Sequence, residues 1–116
     1  PNGLYANETA PRVHNSGHWS IEGAVSSQFE NHMRAVAGLP LGSTEAIRPS
    51  AMINIIGEHP QTDAILAIPE THLHLYGKSE RVGRKLGHIT ITAATYEGLQ
   101  ARIAEVAACL PNKMAL

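Results

Sequence analysis

Apolar and polar positions in this chain follow two different periods. Residues 51–56 form an apolar run closed by Gly57, the pattern of a strand buried in a sheet. His72-Leu73-His74-Leu75-Tyr76 and His88-Ile89-Thr90-Ile91-Thr92 alternate instead, which predicts two strands with one wet face each. A charged loop bounded by Gly77 and Gly83 separates them. From Thr95 the spacing becomes helical, with Tyr96, Leu99, Ile103, Val106 and Leu110 on one face until Pro111 stops it.

The first third of the chain is organised differently. Residues 3–8 read as a short strand entered from a turn at Pro1-Asn2-Gly3. With no initiator Met before that turn, the sequence is expected to begin in mid-sheet. Residues 10–23 are polar, carry Pro11 and Gly17 and show no period, as an ordered or functional loop does. Ser27 and Glu30 have capping-box spacing ahead of a helix with Phe29, Met33, Val36 and Ala37 on one face. Gly38 and Pro40 end that helix, and residues 41–49 form a connector. The predicted class is α+β: a strand, loop and helix in residues 1–47, then a small antiparallel β-sheet domain with one packed helix in residues 48–116.

Composition narrows the partners. The 116 residues are 43% hydrophobic and 16% charged, enough for one domain with a modest core. A net charge of -1 gives no basic field for nucleic acid or an anionic membrane, so any anion must be held by local geometry. No apolar run is long enough to span a bilayer. Cys109 alone cannot form an internal disulfide, and its helical position predicts a buried, inert thiol in a reducing compartment.

Chemistry concentrates between Asn7 and His18. Asn7 and Glu8 offer hard oxygen ligands, the kind that Mg²⁺ on nucleotide phosphates requires. Arg12 carries a planar donor fork suited to phosphate or carboxylate, and His14 and Asn15 add directional donors and acceptors. The plainer reading is a strand end, a surface ion pair for Arg12 and solvated histidines. His14/His18 and His72/His74 raise the question of zinc, but one cysteine and no tight four-ligand pattern argue against a structural site.

The string NETAPRVHNSGHW, followed by SQFENHMRA and GLPLG, resembles the 5-(carboxyamino)imidazole ribonucleotide synthetase family of the ATP-grasp superfamily. The likeness continues through AMINIIG, HLHLYGK and GRKLGHIT, so it covers essentially the whole chain. Val13 and Thr9 depart from the family's usual proline and aliphatic residue, and neither change removes a ligating group. Biotin-carboxylase-like relatives order these groups differently, and the formate-dependent transformylases continue with an HDTG-type run.

The resemblance implies that residues 1–47 are the C-terminal remnant of an ATP-grasp domain. It implies an ATP-dependent ligase that carboxylates 5-aminoimidazole ribonucleotide with bicarbonate, using ATP and Mg²⁺. Glu8 would be the Mg²⁺ ligand, with Asn7 beside it at the ATP phosphates. Arg12 and His14 would be catalytic, Arg12 stabilising charge on bicarbonate or carboxyphosphate. His14 and Asn15 would orient bicarbonate or the aminoimidazole, and Lys78, Arg84 and Lys85 would clamp the ribose phosphate. The two loops should therefore converge, the heads of Arg12, Lys78 and Arg84 should share one cleft, and Glu8 should stand exposed and unpaired. The full-length enzyme is expected to be a cytoplasmic homodimer, and this chain alone to be inactive. The other reading is a non-catalytic module that binds substrate phosphate or mediates dimerisation.

Overall fold

The computed structural model describes residues 2–111; Pro1, and with it part of the expected opening turn, lies outside the described residues. In chain order the elements are a turn of 3₁₀ helix at Asn15–Gly17, α1 (Ser20–Gly23), α2 (Gln28–Val36), β1 (Ser50–Ile56), α3 (Thr62–Leu66), β2 (Thr71–Leu75), β3 (Lys85–Thr92) and α4 (Tyr96–Ala108). Among them, no helix is long and apolar enough to cross a membrane.

The sheet is antiparallel in the order β1-β3-β2. Ile53, Ile55, Ile89 and Ile91 line one face and pack against Leu99, Ile103 and Val106 of α4 and Ile65 of α3. Burying each such side chain contributes about 1.5–3 kcal/mol, so this face sets the fold. Cys109 is a free thiol packed against the same core. Local chemistry ends the helices as expected: Thr95 caps α4 by accepting from the Gly98 amide, and Ser27 caps α2 by accepting from the Glu30 amide.

Three expectations need correction. β3 has no wet face, because it is the central strand and His88, Thr90 and Thr92 are all buried. Residues 3–8 form no strand: no ladder partner lies beside them among the described residues, and Leu4 is fully exposed. Tyr96, placed on the apolar face of α4, is largely exposed. The helix α3 escaped notice because five residues are too few to show a period.

Two features position the site. First, the β1–β3 register shifts at Ile55/Ile56, where Gly87 pairs with Ile55 and Lys85 with Ile56. This bulge turns Leu86 into the core while Lys85 and His88 come to the opposite face. Gly87 is required there, since a Cβ would run into the His74 carbonyl oxygen. Second, the connector is stitched to the first third of the chain. Ala24 bridges Ala46, Val25 donates to Glu45 at 2.9 Å, and Ile47 donates to Gly23 at 2.8 Å. Glu70, at φ 54°, ties the connector to α4 by pairing with both Arg48 and Arg102.

Candidate functional site

Residues 7–18 wrap around one side chain from α2. The Gln28 Oε1 accepts from the His14 amide at 2.9 Å, which turns its Nε2 toward the His14 carbonyl (2.7 Å) and His18 Nδ1 (2.8 Å). His18 Nδ1 must therefore accept, and in the neutral ring the proton sits on Nε2. Gly17 leaves room for that amide, into which a Cβ would project. Ser20 completes the knot, its hydroxyl donating to the Gly17 carbonyl and accepting from the Gln28 amide.

His14 caps the 3₁₀ turn. Its Nδ1 accepts from the Ser16 amide (3.2 Å) and lies 2.9 Å from the Ser16 hydroxyl. An amide only donates, so Nε2 carries the proton and gives it to Glu8 Oε1 at 2.6 Å. Glu8 is thus exposed as expected but paired, against expectation, because the loop folds back and brings His14 to it. Asn7, Glu8, Ala10, Arg12, His14 and Ser16 line a cavity of about 270 Å³. Arg12 forms no ion pair among the described residues; its only hydrogen bond goes to the Val13 carbonyl. Asn15 Oδ1 is buried with no hydrogen-bond partner, an acceptor facing no donor of the protein.

The loop between β2 and β3 gathers the second set. Lys78 Nζ donates to the Lys85 carbonyl at 3.3 Å, and the two ammonium groups lie 5.8 and 5.6 Å from the centre of the Tyr76 ring. Burial, and then the charge of Lys78, lowers the Lys85 pKa from its ordinary value. The Arg84 guanidinium holds the carbonyl and hydroxyl of Ser79 in the same loop.

A column of rings that sequence reasoning passed over joins His18 and α1 to β2 and β3. Glu22 of α1 bonds His74 Nε2 at 2.7 Å. His74 stacks on His88 with centroids 4.3 Å apart and planes 12° apart. His88 Nδ1 lies 2.6 Å from the Tyr76 hydroxyl. The His18 ring packs 5.1 Å from His88 and edge-on to Tyr76 at 6.5 Å. Burial lowers the pKa of His88 to about 4, helped by Coulombic contributions from His74, His18 and Lys85. Burial also lowers that of His18, with Lys85, His74 and His14 adding to it. His18 thus joins the first third of the chain to the face of the sheet that carries Tyr76 and His88. The alternation of the two strands already put His72, His74 and Tyr76 on one face; the missing signal was the register that sets His74 opposite His88. His72 itself is exposed.

Comparison with known proteins agrees along the chain. The family model for the phosphoribosylaminoimidazole carboxylase C-terminal domain matches residues 50–102, and that for the ATP-grasp domain matches residues 1–29. The N5-carboxyaminoimidazole ribonucleotide synthase of Pseudomonas aeruginosa is 61% identical over 108 residues, 93% of this chain and 30% of the relative. The crystal structure of N5-carboxyaminoimidazole ribonucleotide synthetase from Thermus thermophilus superposes with a TM-score of 0.88 at 54% identity, covering 91% of this chain and 29% of that one. The Aspergillus clavatus synthase, solved in complex with ADP and 5-aminoimidazole ribonucleotide, matches with a TM-score of 0.77 at 42% identity, covering 84% and 28%. The chain therefore spans about 30% of the length of the curated relatives it matches.

Proposed function

Because the chain belongs to the N5-carboxyaminoimidazole ribonucleotide synthase family, whose C-terminal part it matches, we propose that it supplies one wall of that ligase's active site. In this reading residues 1–47 close the ATP-grasp domain and residues 48–116 form the small C-terminal domain. The cytoplasmic, homodimeric setting implied by the resemblance belongs to the same proposal. The complete enzyme uses ATP and bicarbonate to make carboxyphosphate, then carboxylates the exocyclic amine of 5-aminoimidazole ribonucleotide. ADP and phosphate leave.

One observation carries the reading. His18 packs against His88 and Tyr76, and Lys78 and Lys85 lie over the same Tyr76 ring, which supports a substrate shared between the segment bearing Arg12, His14 and Asn15 and the two lysines. That arrangement suits one small molecule with an amine at one end and a phosphate at the other.

Each residue then takes a role its bonding allows. Arg12, free of any carboxylate among the described residues, stabilises negative charge on bicarbonate or carboxyphosphate. Asn15 offers a buried acceptor with no donor, which fits an amine N–H better than an acceptor-rich bicarbonate. His14 has both ring nitrogens engaged and so orients Glu8 and the 3₁₀ turn unless it releases one partner. Glu8 keeps one carboxylate oxygen beyond the bond to His14, and Asn7 stands next to it on the cavity wall. These oxygens fit Mg²⁺ only together with nucleotide phosphates, since the described residues contain no cluster of three or more metal-ligating side chains. When bound, the ion neutralises phosphate charge. Lys78 and Lys85 hold the ribose phosphate, and Arg84 braces the loop that presents them.

The test is a pair of substitutions in an enzyme of full family length carrying this sequence. Glu8→Ala should lower kcat through lost metal coordination. Lys78→Ala should mainly raise KM for the ribonucleotide and leave KM for ATP unchanged. If both changes weaken ATP equally, the assignment of the late loop is wrong.

A further inference from the structure

The geometry points to Tyr76 as a positioning residue: its ring gathers the ammonium groups of Lys78 and Lys85, and its hydroxyl is anchored through His88 and His74 to Glu22. This rests on the reading of those two lysines as the phosphate clamp, and adds a residue to it.

A lysine is a point charge on a flexible stem, with about 2 kcal/mol of rotamer entropy to lose on being fixed. Two such charges brought together also repel. Here both lie within the roughly 6 Å over which an aromatic face attracts a cation. Neither makes an ion pair among the described residues; Glu80, the acid of the same loop, accepts instead from the His59 amide at 2.9 Å. The ring is therefore the group that offsets their mutual repulsion while leaving them available to an anion.

The ring in turn is held. Its hydroxyl meets His88 Nδ1 at 2.6 Å, and the Tyr76 amide bonds the Leu86 carbonyl at 3.0 Å. His88 is 2% exposed and stacked on His74, which Glu22 fixes from α1. With its pKa lowered to about 4 by burial, His88 stays neutral near pH 7 and adds no third positive charge beside the lysines. The bulge at Gly87 is what brings Lys85 to the face that carries Tyr76. The platform is thus tied to the first third of the chain, and docking of α1 on the sheet reaches the lysines through three rings.

The experiment uses the enzyme of full family length with Tyr76→Leu, Tyr76→Phe, Lys78→Ala and Lys85→Ala, measuring kcat and both KM values. Tyr76→Leu should raise KM for the ribonucleotide roughly 5- to 30-fold, the equivalent of two exposed cation–π contacts, with a smaller change in kcat. Tyr76→Phe keeps the ring but not its anchor to His88, so it should recover only part of that loss. If the lysine variants raise KM while Tyr76→Leu does not, the role of Tyr76 falls and the clamp stands. If the lysine variants themselves leave KM unchanged, the clamp reading falls and takes the role of Tyr76 with it. NMR of protein labelled with ¹³C at the lysine ε-carbon decides the matter even if Tyr76→Leu fails to fold. Ring current should move the Lys78 and Lys85 ε-protons upfield in the wild type and in Tyr76→Phe; unshifted signals in the wild type would overturn the proposal.

Discussion

Lowering the pH from about 7.5 to about 5 should weaken this fold by roughly 2 kcal/mol through His88 alone. The ring is buried, stacked on His74 and packed against His18, with the Lys85 ammonium near it, and its pKa falls to about 4 from the ordinary 6.5. The unfolded chain therefore takes up the proton first. The stability held by neutral His88 is complete above pH 6.5, is lost as pH falls from 6.5 toward 4, and totals on the order of 3 kcal/mol. His18 is shifted in the same direction and adds to the slope. Restricting the titration to pH above 5 keeps most carboxylates ionised. Urea unfolding of the chain across this window, in wild type and His88→Asn, isolates the contribution as the difference between the two slopes. Two-dimensional ¹⁵N NMR of the imidazoles then reads the His88 titration directly. Equal pH dependence in both proteins, or a His88 midpoint near 6.5, would refute the reasoning.

Two further outcomes follow from the geometry. Glu70→Ala removes the carboxylate shared by Arg48 and Arg102 and should lower stability by about 1–3 kcal/mol in urea unfolding; relief of its positive φ is not available to alanine. Gln28→Leu removes three hydrogen bonds that pin His14 and His18, so in the full-length enzyme it should raise KM for the ribonucleotide and lower kcat, whereas Gln28→Glu, which cannot donate to the His14 carbonyl, should do the same without a loss of volume.

Features set by local chemistry were legible in the sequence. Thr95 and Ser27 cap their helices, Gly38 ends α2 at φ 71°, and Leu99, Ile103 and Val106 face the core because a 3.6-residue period puts them there. Features set by partners were not. The burial of His88 and Thr90 depends on β3 being central, and nothing within the strand reveals its neighbours. The bulge that reverses Lys85 relative to His88 lies between strands rather than in either one. The same division runs through the site. Glu8, Arg12, His14 and Asn15 stand in one contiguous string, and Lys78 and Lys85 in one loop. Gln28, Tyr76, His74 and His88 gain their meaning from contacts between residues at least 10 apart in the chain, and Glu22 from its contact with His74 across 52. Arg84, which the resemblance groups with the two lysines, bonds Ser79 within the loop, a contact that adjacency to Lys85 does not reveal.

The central claim is that the Arg12–Asn15 loop and the Lys78–Lys85 loop hold the two ends of one molecule. Calorimetric titration of the full-length enzyme with 5-aminoimidazole ribonucleotide, and with the matching nucleoside that lacks the phosphate, tests it most directly. Wild type should prefer the ribonucleotide by roughly 10- to 150-fold, the range of charge-assisted hydrogen bonds to one phosphate. A Lys78→Ala, Lys85→Ala double variant should bind the nucleoside as wild type does and lose most of that preference. A double variant that keeps the full preference for the ribonucleotide would contradict the account.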